Sequence, residues 1–326
     1  MDDQEIRIDQ LPLSEQQNMR DIIAGKIIPP LYADTIAKRL FNPDVHGDRL
    51  QFLMRSISKD SSIDVVSSAG NESFKQSMNS KSMVSDIPSW LRDGRLSDLE
   101  IQKIRQDFIF TRIELYASEM LLLQYSVTEG QAKGDLDYSN VKEVLLIILM
   151  VESPGVFREF DKESEKYIHR FTKMTADTGL SYPTKAKMIY VQLDKCLRQF
   201  KEGRNAEAED GIPDELQLWL SMIADVNDGK VSAEAERDDE LKRIRTEALD
   251  MAQDKEVQNM LIQEKYDRMD WLTYGKEREE RGEKKGENKF AALISKLFLT
   301  GRESDVERAA NDETYRAQLF KEYNLL

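Results

Sequence analysis

Apolar and polar positions alternate with two different periods along this chain, and the change of period separates a mixed front part from a helical rear part. Residues 11–26 read as a short helix that stops before Pro29 and Pro30, since a proline disfavours helix for the residue before it. "DTIAKRLF" at 34–41 predicts one or two helical turns, with Asp34 as candidate N-cap. "DRLQFLMRSI" at 48–57 places Leu50, Leu53, Met54 and Ile57 at helical spacing, and Asp48 stands where an N-cap would. "SSIDVVSS" at 61–68 predicts a short strand, and the Ser- and Asn-rich run at 69–82 a loop. Two strands follow near 83–91 and 95–103, then an amphipathic helix at 106–125 and a loop at 130–140. "VLLIILMV" at 144–151 is apolar without interruption, as in a strand buried on both faces. "AKMIYVQLD" at 186–194 predicts another strand.

After residue 212 the pattern turns helical, and no proline occurs beyond Pro213. Residues 233–281 read as a charged helical arm without sustained heptads, which favours a solvated helix over a coiled coil. Residues 287–326 predict two or three short helices, broken at "LTGRESD" and "NDE". The expected organisation is an N-terminal helical segment (1–30), an α/β domain (31–225), a charged helical arm (226–286) and a small helical C-terminal segment (287–326). The arm offers a route to homo-oligomers, and the last segment could carry a helix-turn-helix-like unit.

Composition narrows the chemistry. A chain of 326 residues has room for about two domains. The longest apolar run falls far short of the roughly 20 residues that span a bilayer, so no membrane segment is expected. The acidic start "MDDQEIRIDQ" does not resemble a signal peptide. One cysteine, Cys196, rules out an internal disulfide, suits a reducing cytoplasm and reads as a small buried hydrophobe. With only His46 and His169 beside it, a zinc site is not expected. The net charge of −14 argues against non-specific coating of nucleic acid, which relies on Lys and Arg. The acids are dense in 202–287, however. Lys38, Arg39, Arg105, Arg112, Lys185, Lys187, Lys195 and Arg198 leave room for a basic face further forward.

The polar stretch "SDIPSWLRDGRLSDLEIQK" at 85–103 carries the candidate chemistry. If Arg92, Asp93 and Gly94 form a three-residue loop closed by a left-handed glycine, Leu91 pairs with Arg95. Counting outward sets Asp86 opposite Glu100, with Gln102 on the same face by the strand period of two. If Asp93-Gly94 is instead a two-residue loop, Asp86 faces Ile101 and the cluster breaks. In the first register two carboxylates stand as direct cross-strand neighbours about 5 Å apart. Buried together they repel unless a cation or a shared proton intervenes. A hard divalent ion such as Mg²⁺ prefers such oxygen ligands. Spacing alone equally describes a solvated hairpin face carrying harmless acids.

"VSDIPSWLRDGRLSDLEIQK" also resembles the active-site hairpin of the PD-(D/E)XK nuclease superfamily, in the branch of PD-(D/E)XK nuclease family transposases and recombination-promoting nucleases. Asp86, the Asp93-Gly94 turn and "DLEIQ" at 98–102 fill that branch's pattern. "KRLFNPDVHGDRLQFLMRSI" at 38–57, "DFIFTRIELYASEMLLLQY" at 107–125, "YIHR" at 167–170 and "DTGL" at 177–180 extend the resemblance over roughly residues 30–225. It implies a restriction-endonuclease-like α/β core, a mixed four-stranded sheet flanked by helices, followed here by the helical C-terminal region. It implies Mg²⁺-dependent hydrolysis of DNA phosphodiesters in a bacterial cytoplasm, with Mn²⁺ a possible substitute. Asp86 and Glu100 would hold the metal, and Gln102 would stand where the superfamily has lysine. Gln orients water but brings no charge. Lys103, turned to the opposite face by period two, is not given that part. Asp48 and, more weakly, Asp34 stand where an auxiliary acid occurs. Arg112 and Tyr116 face either the substrate phosphate or a packing contact and salt bridge with Glu119 or Asp107. Pro88 departs from the pattern and predicts a frayed or bulged strand. It leaves open a catalytically decayed nuclease fold serving as a binding or assembly module.

Overall fold

The computed structural model describes residues 7–69, 86–105, 108–128, 141–302 and 304–325. Most of the loop predicted at 69–82, the start of the 83–91 strand, the first residues of the 106–125 helix and the 130–140 loop lie outside them. The chain divides into two compact units, Met1–Ile262 and Gln263–Leu326.

The first unit is built on a six-stranded mixed sheet in the order β1-β2-β3-β4-β6-β5. The strands are β1 (Val65–Ser68), β2 (Ile87–Leu91), β3 (Leu96–Gln102), β4 (Val144–Met150), β5 (Ile168–Thr175) and β6 (Ser181–Gln192). The expectation of four strands is therefore corrected to six. β1 adds antiparallel to β2 at one edge, and β5 folds back antiparallel on β6 at the other. The centre, β3-β4-β6, is parallel. β4 is buried along its whole length between β3 and β6, which explains its unbroken apolar sequence.

Leu96, Val144, Leu146, Ile148, Met150 and Tyr190 share one face of the sheet. The helix α4 (Ile109–Thr128) covers it with Ile109, Ile113, Tyr116, Ala117, Met120 and Leu123. These apolar positions recur every three or four residues, the period of one helix face. Leu99, Ile101, Leu145, Ile147, Leu149 and Val191 alternate with them and are buried on the other face.

The N-terminal helices are α1 (Leu13–Ile23), α2 (Asp34–Leu40) and α3 (Pro43–Ser58). Helix α3 starts earlier than predicted, because Asn42 caps it by accepting from the Asp44 N–H at 2.8 Å with proline at the first position. Asp48 is therefore not its N-cap. Asp34 is not an N-cap either: Ala33 holds that place, and Asp34 is the first helical residue.

Three helices follow β4 and β6: the short α5 (Gly155–Phe160), α6 (Leu193–Glu202) and α7 (Asp214–Ala224). The strand predicted at 186–194 thus ends at Gln192, and Leu193 already begins a helix. Cys196 on α6 is buried, as expected, and burial pushes its thiol up to about 12. Lys195 beside it is no part of a basic surface. It is 2% exposed, with Nζ 2.7 Å from Asp161 Oδ1.

Helices α8 (Gly229–Ala235) and α9 (Asp239–Met251) belong to the first unit. Buried Arg49 of α3 clamps α9 through Glu240 Oε1 at 2.6 Å and both oxygens of Glu247, at 2.6 and 2.9 Å. Helix α10 (Lys255–Leu299) begins in the first unit and runs on into the second. It passes through residue 287 without a break, so the C-terminal segment is the end of a long helix plus α11 (Asp305–Asn311) and α12 (Glu313–Glu322). The breaks fall where "LTGRESD" and "NDE" place them. Leu293, Leu297, Ala309 and Leu319 form the core of this second unit.

Candidate active site

The hairpin between β2 and β3 fixes the site. Gly94 has φ +81, a conformation that a side chain at this position would strain. Its N–H donates to Leu91 O at 2.8 Å, and the Leu91 N–H donates to Arg95 O at 2.9 Å. Arg92, Asp93 and Gly94 are thus a three-residue loop. The ladder continues Trp90–Leu96, Ser89–Ser97, Pro88–Asp98 and Ile87–Leu99, and the next position sets Asp86 across from Glu100. The two-residue alternative is excluded.

Pro88 neither frays nor bulges this strand. It sits in register opposite Asp98, and its carbonyl accepts from the Ala69 N–H at 3.0 Å. Antiparallel bonds to β3 fall on alternate residues, on Leu91 and not on Pro88, so the ladder to β3 loses no donor. The irregularity in this part of the sheet lies in β1, between Val65 and Ser67.

Around Glu100 the polar groups form a closed set. Glu100 is fully buried. Its Oε2 accepts from the Asp86 N–H at 3.3 Å. Its Oε1 accepts from Gln102 Nε2 at 2.7 Å and from Arg112 Nη2 at 2.8 Å. Arg112 Nη1 donates to Gln102 Oε1 at 3.2 Å, and its Nε and Nη2 donate to Tyr116 Oη at 3.1 and 2.9 Å. Arg112 and Tyr116 lie one turn apart on α4, which brings both over the Glu100 face of the sheet. Asp86 Oδ2 accepts from the Ile101 N–H at 2.8 Å.

This assembly is electrostatically strained. Burial, then the charges of Asp86 and Asp98, hold the Glu100 carboxyl well above its ordinary range, against the pull of Arg112. Burial and the Asp34 charge also raise Asp86, while Lys38 and Lys103 oppose them. Tyr116 is raised by burial and by Glu100. A buried carboxylate, Glu100, beside a half-buried one, Asp86, both resisting ionisation, is a donor set suited to a hard cation. Among the described residues no group of three or more His, Cys, Asp or Glu side chains is arranged to hold a metal. The protein's own share of such a site would be the two carboxylates of Asp86 and Glu100.

A model of the PD-(D/E)XK nuclease family transposases matches residues 31–277. The chain belongs to this family. No curated protein and no solved structure matches the chain. The family match runs past residue 225 through α8, α9 and the first part of α10, consistent with the hold of Arg49 on α9.

In this PD-(D/E)XK family member the remaining candidates separate. Asp86, Glu100, Gln102, Arg112 and Tyr116 come together. Asp34 stands beside them, with Oδ1 2.8 Å from Lys103 Nζ. Asp48 is exposed on α3, and among the described residues no hydrogen bond or ion pair joins it to Asp86 or Glu100. Arg112 pairs with Glu100, not with Glu119; Asp107 lies outside the described residues. Lys103 does not turn away from the site. β3 ends at Gln102, so strand alternation no longer governs the next side chain, and its ammonium acts on Asp86.

Two charged residues of the site went unassigned from sequence. Asp98 is buried, accepts from the Ile87 N–H at 3.2 Å and shares the Glu100 face. Period two within "DLEIQ" was the signal for it. Lys38 on α2 has Nζ 3.8 Å from Asp86 Oδ1, a proximity between distant elements that no local pattern announces.

Proposed function

We propose that this protein is a divalent-metal-dependent DNA endonuclease, a hydrolase of phosphodiester bonds, working with Mg²⁺ and accepting Mn²⁺. The observation that carries the reading is the cross-strand pair of half-buried Asp86 and fully buried Glu100, both held above the usual carboxylate range. Asp86 and Glu100 would hold the metal. A divalent ion there supplies a Lewis acid that polarises a phosphoryl oxygen and lowers the pKa of bound water. Gln102, fixed between Glu100 and Arg112, orients water through its carboxamide without adding charge. Arg112, held by Glu100, Gln102 and Tyr116, would lend its charge to the substrate phosphate from that position. Asp34 is the auxiliary acid, acting through Lys103. DNA is the proposed substrate, and the cytoplasm the proposed location. Among the described residues no helix is long and apolar enough to cross a membrane.

One observation favours a second reading, a decayed nuclease fold kept as a binding or assembly module, with the C-terminal helices as its route to oligomers. Arg112 bonds Glu100 directly and partly answers its charge without any metal. Plasmid cleavage separates the two readings. The wild type is expected to nick or linearise DNA with Mg²⁺ or Mn²⁺ and to stop on chelation. Glu100→Ala should reduce the rate by more than about 100-fold, the scale reached even by losing a ligand's supporting contact. No metal-dependent cleavage of any DNA form would favour the module, and equal cleavage by Glu100→Ala would overturn the assignment of the site to Asp86 and Glu100.

A further inference from the structure

Three cationic side chains reach the carboxylate pair, and they are not equivalent. Arg112 is engaged on the Glu100 side with Glu100, Gln102 and Tyr116. Lys103 is held by Asp34 at 2.8 Å. Lys38 has Nζ 3.8 Å from Asp86 Oδ1, beyond hydrogen-bond distance, on a side chain 39% exposed.

Helix α2 makes this arrangement. Asp34 and Lys38 are four residues apart and project from one helix face. That face meets the open end of the hairpin in a crossed pattern, with acid against Lys103 and ammonium against Asp86. An ammonium carries three rotatable donors and no acceptor. At 3.8 Å it lends Asp86 its field while keeping donors for a second anion. A second anion would meet this ammonium on the Asp86 side, whereas Gln102 and Arg112 both bond Glu100.

On the nuclease reading, we propose that Lys38 is a substrate-binding residue whose ammonium contacts a non-bridging oxygen of the scissile phosphodiester, supplying from helix α2 the positive charge that Gln102 lacks. The contact is electrostatic and involves no covalent step.

The test measures binding of a fluorescein-labelled DNA duplex to the full chain by anisotropy across a salt series, with Ca²⁺ present. Cleavage by the same proteins is followed with Mg²⁺. Lys38→Gln should weaken binding about 10-fold and reduce the slope of log affinity against log salt by about one. Its cleavage at saturating DNA should fall about 100-fold. Lys38→Arg, which keeps the charge, should recover the slope. Unchanged slope and rate in Lys38→Gln, with the wild type active, would overturn the Lys38 contact and leave the nuclease reading standing. A reduced slope in Lys38→Gln, beside a wild type that binds but never cleaves, would uphold a Lys38 contact to DNA phosphate and overturn the nuclease. A wild type that binds no duplex would overturn both. Thermal unfolding of each variant distinguishes a lost contact from a lost fold, and a correctly folded Lys38→Arg that behaves like Lys38→Gln would count against the charge-based role.

Discussion

Glu100 is the residue on which the site's energetics turn. Its carboxyl is raised well above the usual range by burial and then by Asp86 and Asp98. Between the ordinary glutamate range and the raised value, the folded protein holds a proton that the unfolded chain has released. Stability therefore falls as pH rises through that window. Glu100→Gln removes the titration while leaving an acceptor for Arg112. The variant should gain stability over the metal-free wild type at pH above the raised value, and the gain should disappear below the ordinary carboxylate range. Urea denaturation at a series of pH values measures this, and a Gln variant that is less stable at high pH would refute the strain. At this scale the sequence was informative where geometry is local. The Gly94 turn set the register of Asp86 against Glu100, and period two placed Gln102. It failed where alternation had already ended, at Lys103, and where a partner came from another element, as with Lys38 and Asp86.

At the scale of elements, Arg49 is one of the long-range contacts that join the rear helices to the front, together with the Asn227 side chain on the backbone of Ile28. Its guanidinium is 2% exposed and answered by Glu240 and Glu247 of α9. Breaking a buried, hydrogen-bonded ion pair by removing one member is strongly destabilising, so Arg49→Ala, which strips α9 of its clamp, should cost about 3 kcal/mol in denaturant unfolding. Glu247 is held below its ordinary value by the hydrogen bond from Arg49, against burial. Its share of stability is present above the usual glutamate range and is lost as pH falls toward the depressed value. A loss under about 1 kcal/mol in Arg49→Ala would place the pair among ordinary surface bridges. β4 and α4 were legible because burial wrote itself into their sequences. β5 was not, since "IHRFTKMT" is largely exposed and becomes a strand only by pairing with β6. Pro88 misled for a related reason. The strand tolerates it because the donor it lacks is not one that β3 requires.

For the whole molecule, the sheet brings residues from three separate stretches to one place: α2, the β2–β3 hairpin and α4. The front of the chain could be read as an α/β core because buried strands and an amphipathic helix have distinct periods. The six-strand extent could not, because edge strands carry little burial signal. The charged arm read at 226–286 resolves into helices that pack with the first unit up to Ile262 and a helix that continues into the second. Charge density alone does not reveal which helical turns find a partner. If Asp86 and Glu100 together hold a divalent ion, titration calorimetry of the full chain with Mn²⁺ detects it without reference to cleavage. The wild type should bind one ion, with binding abolished in both Asp86→Asn and Glu100→Gln; no binding by the wild type, or the same binding by all three proteins, would contradict the shared site.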